Sequence, residues 1–174
     1  MSLTIKPAKR SDLEEYTDLL QKTYQKAYTN DELGLTKDCF SKKVFNTKNT
    51  QDYLKSNLIS NKKQKAWLVF LETKMVGAIT IIDKGNEIDI RGFYVSPENQ
   101  GQSIGKALFR KALEFSKGKD IVVETYVHNL KTIEIYKKWG FKIDIEKGFN
   151  FRHWPEWPKG LQAKLLFMRL IQKT

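Results

Sequence analysis

The stretch YVSPENQGQSIGKALFRKALEF, residues 94–115, decides the fold, and its glycines admit three readings. Gly101-Gln102-Ser103-Ile104-Gly105 spells G-x-S-x-G, the turn that exposes a nucleophilic serine. Gly105-Lys106 looks like the end of a nucleotide-binding phosphate loop. Gln100-x-x-Ser103-x-Gly105 would make the segment a cradle for a pyrophosphate.

The serine turn needs a strand ending directly before the first glycine. Here the preceding strand ends near Val95, and Ser96 to Gln100 intervene. His128 and His153 are the only histidines for a triad, and the chain is short for that fold. The phosphate loop needs four residues between its glycines and a hydroxyl after the lysine. Three residues separate Gly101 from Gly105, and Ala107 follows Lys106. Both readings fail. The cradle survives, because a helix beginning after Asn99 leaves unpaired N–H groups and a positive dipole end facing the loop. Gly101 lets backbone approach a ligand, Gly105 is expected to let the helix pack closely, and Lys106 and Arg110 add positive charge.

Outward from this segment, strands alternate with helices. LTIKPA opens as a strand. Ser11 and Glu14 have capping-box spacing ahead of a helix with Leu13, Tyr16, Leu20, Tyr24 and Ala27 on one stripe. A less regular helical region spans 38–58, broken around 46–49. Residues 66–72 and 75–83 read as a hairpin, and EIDIRGFYV (87–95) as a third strand in period-2 alternation. The cradle helix presents Ile104, Ala107, Leu108, Ala112 and Phe115 on one face. DIVVETYV (120–127) is a buried strand, followed by a helix capped by Asn129 and stopped at Gly140. FKIDIEK and AKLLFMRLI read as closing strands, with NFRHWPEWPKG between them as a Trp/Pro-rich loop. The order is β-α-α-β-β-β-α-β-α-β-β, an α/β (α+β) single domain over residues 1–174 with a mixed sheet.

Composition bounds the function. The chain has 174 residues, long enough for one proper core, and a single cysteine, Cys39, so no internal disulfide forms. Two histidines and one cysteine give no metal-ligand spacing, so no metal is expected. No apolar run reaches the ~20 residues of a membrane span, and the charged N-terminus argues against export. A cytoplasmic protein is expected. The net charge of +11 favours a polyanionic partner. No zinc-finger or aromatic RNA-binding pattern accompanies it, which argues against nucleic acid.

The cradle, its strand and HNLKTIEIYKKWGF (128–141) together resemble the GNAT superfamily of acetyl-CoA-dependent N-acetyltransferases. Gln100 and Gly105 match the ends of that family's Q/R-x-x-G-x-G/A cradle, with Ser103 at its middle glycine. Asn129, Tyr136, Gly140 and Phe141 match its second motif, with Thr132 at the usual alanine. The resemblance implies a central sheet of about seven strands flanked by about four helices. It implies acetyl-CoA as co-substrate, held by Phe93, Tyr94 and Val95 main chain, by the cradle Gln100, Gly101, Gln102, Ser103, Ile104, Gly105 and Lys106, and by Asn129 and Tyr136. Ser103 suits its position if its φ is negative, and its hydroxyl could itself bind phosphate. Gly92 suits a bulge that opens the strand edge.

A lysine-like amine has a pKa of ~10.4, so on the order of one molecule in a thousand is nucleophilic at neutral pH, a handicap of ~4 kcal/mol. The resemblance places Asp89 as the base, with Glu87 on the same strand face, and Tyr136 as proton donor to the departing thiolate in a direct ternary-complex transfer. Tyr24, Tyr28, Trp154 and Trp157 are candidate walls for the acceptor. The leading expectation is a small-molecule amine acceptor. A protein amine, or a non-catalytic acyl-CoA-binding module, are the alternatives, in a monomer or homodimer.

Overall fold

Three successive runs of β-branched and aromatic residues build an antiparallel meander that sets the frame of the molecule. The computed structural model describes residues 2–172. Its strands are β1 (Leu3–Pro7), β2 (Gln64–Leu71), β3 (Lys74–Asp83), β4 (Glu87–Val95), β5 (Asp120–Tyr126), β6 (Lys142–Ile143), β7 (Phe149–Arg152) and β8 (Ala163–Leu170). Its helices are α1 (Leu13–Tyr28), α2 (Lys42–Phe45), α3 (Lys48–Asn57), α4 (Ile104–Ser116) and α5 (Leu130–Lys138). The strands form one sheet in the order β1-β2-β3-β4-β5-β8-β6, with β7 also pairing β8. Only β4 and β5 run parallel; every other pair is antiparallel.

The sheet separates two cores. Tyr16, Leu20, Tyr24, Phe40, Phe45 and Leu54 from α1 to α3 bury the face that carries Leu68, Ala78, Tyr94 and Tyr126. Leu108, Phe109, Ile133 and Tyr136 from α4 and α5 bury the opposite face, with Ile79, Ile81, Ile88, Ile90 and Ile121. The apolar stripe read for α4 is the stripe that packs, with Ile104, Leu108 and Ala112 at most 1% exposed.

Two local readings change. The box expected of Ser11 and Glu14 is displaced: a 3-10 turn (Arg10–Asp12) precedes α1, and Asp12 Oδ2 accepts from the Lys9 N–H at 2.7 Å. An aspartate near a helix start competes for the same orphan donors, and it lies one residue nearer the helix. The sheet also has eight strands, because Phe149–Arg152, read as loop, pairs with β8 as β7. Its Phe149 and Phe151 are more than half exposed, so no buried face marked it as a strand.

Candidate active site

The site starts from a failure of pairing. β4 and β5 stay in register from Glu87↔Asp120 to Ile90↔Val123, and there the parallel ladder ends. Beyond that point β4 continues to Val95 against β3, and β5 continues to Tyr126 against β8. The two strands therefore part like a V. A bulge drives the divergence: Thr80 faces Gly92 while Ile81 faces Ile90, which leaves Arg91 as the extra residue. A Cβ on Gly92 would sit 2.8 Å from Tyr94 Cε2, so no larger residue fits without displacing that ring. The bulge also resets the alternation. Asp89 and Tyr94 come onto one face, whereas Ile90 and Phe93 lie on the other. A groove of about 1170 Å³ fills the V.

At the mouth of the V, a 3-10 turn (Pro97–Asn99) leads into the cradle. Gly101 has φ +82° and Ser103 φ +64°. Among the described residues, no N–H from Gln100 to Lys106 has an acceptor. Those donors, at the start of a 13-residue helix, are free to receive an anion. Open space surrounds the position of a Cβ on Gly101. Gln100 is held by Lys131 Nζ, which donates to its Oε1 at 2.8 Å.

Three cradle expectations are corrected. Ser103 does not have a negative φ; it occupies the left-handed region, at a cost of about 1–2 kcal/mol for a residue with a Cβ. Gly105 is not forced by packing, because a Cβ there would meet Trp139 at an ordinary 3.5 Å. Gln102 is exposed and does not line the groove, whereas Gly101, Ser103, Ile104, Gly105 and Lys106 do. The Ile104 side chain is itself buried in the core, so only its backbone is available to a ligand.

Across the V, Asn129 caps α5, its Oδ1 accepting from the Thr132 N–H at 3.4 Å, and it also borders the groove. Tyr136 packs at a tilt against Phe141 and near Phe93, with ring centroids at 5.4 and 6.3 Å. Its hydroxyl has no hydrogen-bond partner among the described residues, and the residue lines the groove. Burial pushes the Tyr136 phenol well above its ordinary value, so it keeps its proton at neutral pH.

On the face of α1, the groove meets carboxylates and tyrosines. Burial raises the Asp89 carboxyl above its usual range, with Lys84 and Arg91 pulling the other way and Glu124 and Glu87 adding to the rise. Its oxygens accept no hydrogen bond among the described residues, which leaves them free toward the groove. Glu87 differs. Burial acts to raise it, but Lys147 at 2.7 Å and Arg169 at 2.8 Å outweigh that and hold it below the usual range. It is an anchor for β8 and not a base.

Tyr24 and Tyr28 line the groove, as expected. Burial, aided by Tyr53, lifts the Tyr24 phenol to about 12, and its hydroxyl lies 3.0 Å from that of Tyr94. Tyr28 stacks on Tyr126 at 4.1 Å. Trp154 and Trp157 do not line the groove. They stack on each other at 5.8 Å, and the Trp157 indole N–H donates to the Cys39 carbonyl at 2.9 Å deep in the core. Trp154 lies against Tyr24 and Phe45 and so braces the wall from behind.

Sequence reasoning missed Tyr53, Glu124, Tyr126 and Arg152, all of which line the groove. Glu124 and Tyr126 do sit at period-2 spacing on the strand beside Asp89, the one signal that pointed to them.

The chain's similarities follow this geometry. The model of the acetyltransferase (GNAT) family matches residues 14–141, from α1 through the Tyr136 helix. The chain belongs to the GNAT family. Among its GNAT relatives is a spermidine N(1)-acetyltransferase of Thermoplasma acidophilum, 23% identical over 157 residues, covering 87% of this chain and 95% of the relative. The fold is also that of the PaiA N-acetyltransferase of the same organism, solved in complex with coenzyme A, with TM-score 0.75, 19% identity and coverage of 99% and 100%. The ribosomal-protein-S18-alanine N-acetyltransferase of Escherichia coli superposes with TM-score 0.69, 18% identity and coverage of 99% and 96%.

Proposed function

We propose that the protein moves an acetyl group from acetyl-CoA to a primary amine of a small molecule, by direct attack in a ternary complex. The observation that carries the small-molecule reading is the wall around the acceptor end. Arg152 of β7 reaches the groove and Trp154 packs on Tyr24 behind it, so side chains of α1, β5 and β7 wall this end, which favours a small acceptor over a peptide laid along an open trough.

The residues present fit acetyl-CoA. The unpaired N–H groups of Gln100 to Lys106 suit its diphosphate, and the unpaired edge of Phe93, Tyr94 and Val95, with Asn129, suits its pantetheine amides. When bound, it supplies the activated acyl carbon and a thiolate leaving group. The protein's own part is proton management. Asp89, with a raised pKa and free oxygens, takes the amine's proton, directly or through water. Tyr136, held protonated by burial, donates a hydrogen bond to the departing sulfur. Tyr24 and Tyr28 bound the acceptor.

The test is thiol release from acetyl-CoA across panels of small amines, polyamines, free amino acids and peptides, with product mass measured. The expected result is turnover confined to small amines. Turnover only with peptides would replace this reading with protein acetylation, and coenzyme A binding without any turnover would replace it with a binding module.

A further inference from the structure

The acceptor end of the groove is bipolar. Glu124 is not a free carboxylate: its Oε1 accepts from Arg152 Nη2 at 2.6 Å and its Oε2 from Asn150 Nδ2 at 3.1 Å. Arg152 is not used up in return. Its guanidinium carries five N–H donors in a planar fork; Glu124 engages one and the Tyr126 hydroxyl stands beside the fork, which leaves donors for a further acceptor. The side chain is about one-third exposed, and the residue lines the groove together with Tyr24, Tyr53 and Tyr126. Among the described residues Asp89 is then the one carboxylate of the lining with free oxygens, and Arg152 shares this end with the tyrosines, whereas Lys106 and Lys131 belong to the cradle.

A polyamine would bring several positive charges to a site offering one free negative group. An acceptor that carries its own carboxylate meets both needs, its amine toward Asp89 and its anion in the Arg152 fork. Resting on the small-amine reading above, we infer that the acceptor is an amino acid or a similar amine bearing a carboxylate, and that Arg152 is the residue that selects for it. Asn150 holds Glu124, and Glu124 in turn holds the guanidinium. The specificity therefore depends on β7, the strand whose exposed faces hid it in the sequence.

Matched pairs test this: tyrosine and tyramine, phenylalanine and phenethylamine, lysine and cadaverine, each with acetyl-CoA. In the wild type, kcat/KM for the carboxylated member is expected to exceed that of its partner by on the order of 10–100-fold, the scale of a hydrogen-bonded charge. Arg152→Gln is expected to raise KM for the carboxylated member by a similar factor with kcat little changed, while releasing Glu124 to favour cadaverine. Arg152→Lys, which keeps the charge and loses the fork, should recover the preference in part. Calorimetric binding of the amino acid to the coenzyme A-loaded protein gives a readout independent of turnover. Equal or better use of the decarboxylated partners by the wild type would overturn the Arg152 assignment and leave small-amine acetylation standing. So would an equal loss for both members in a folded Arg152→Gln protein. No turnover of any pair, with peptides acetylated instead, would overturn the small-amine reading first and this inference with it.

Discussion

The two ends of the groove are built from different materials. At the cradle, a continuous run of chain turns through Gly101 and Ser103 and points main-chain N–H groups into solvent. At the acceptor end, side chains from α1, α3, β4, β5 and β7, far apart in sequence, meet across the parted strands. The first is a property of backbone conformation and tolerates side-chain change. The second is a property of side-chain identity and changes with it. One end of the molecule can therefore stay fixed on one ligand while the other is retuned.

The sharpest way to break this contrast is to put a side-chain charge into the backbone site. Gly101→Asp introduces a carboxylate where the free N–H groups converge, at a φ that aspartate tolerates better than most residues. Like charges set against a diphosphate cost several kcal/mol, so coenzyme A affinity by calorimetry should fall roughly 100-fold or more. Retained affinity would show that the nucleotide does not use this turn. The thermal midpoint should fall by a few degrees, because φ +82° costs a residue with a Cβ about 1–2 kcal/mol even where open space surrounds it.

Next comes the point where the two ends meet. Tyr136→Phe removes a hydroxyl that makes no hydrogen bond among the described residues, so stability and coenzyme A binding should stay near wild type. Turnover should fall by roughly 100-fold if the phenol acts as proton donor. Unchanged turnover would remove that role and leave Tyr136 as packing against Phe93 and Phe141.

The same contrast explains what the sequence disclosed. The limits of β4 at Glu87 and Val95 and the Asn129 cap of α5 were readable, because each depends on neighbours within a few residues. The helix read after Asn99 starts later, at Ile104 as α4, because Gly101 and Ser103 turn through the left-handed region first. Glu124, Arg152 and Tyr53 were not, because their meeting depends on the bulge at Arg91 and on the β5–β8–β7 register. The tryptophans misled for a related reason. Trp154 and Trp157 beside prolines look like an exposed clamp, but the Cys39 carbonyl and the ring of Phe40 draw Trp157 into the core.

Asp89 carries the contrast into stability. Burial raises its pKa, so the folded state holds its proton more tightly than the unfolded chain does. The ionised form therefore costs stability above the folded pKa, and the cost disappears below the ordinary carboxylate range. Asp89→Asn should melt higher than wild type at neutral pH, with the difference closing as pH falls through that window. Its turnover should drop at the same time. A variant that loses both stability and activity would mark Asp89 as structural.

The smallest expected effect separates backbone from side chain within the cradle itself. Ser103 is the one residue there with a Cβ in the left-handed region, and its hydroxyl makes no cap bond to α4. Ser103→Gly should relieve about 1–2 kcal/mol of steric cost and return about 0.5–1 kcal/mol through the greater freedom of the unfolded chain. The net gain is at most about 1.5 kcal/mol, a rise of no more than roughly 3–6 °C in the thermal midpoint. If amide groups alone hold the diphosphate, coenzyme A affinity should be unchanged, since every N–H from Gln100 to Lys106 survives the substitution. A higher midpoint joined to weaker binding would instead show that the serine hydroxyl is itself a phosphate ligand. Strain at this position would then be retained because the side chain holds the ligand, and the cradle would no longer be a purely main-chain device.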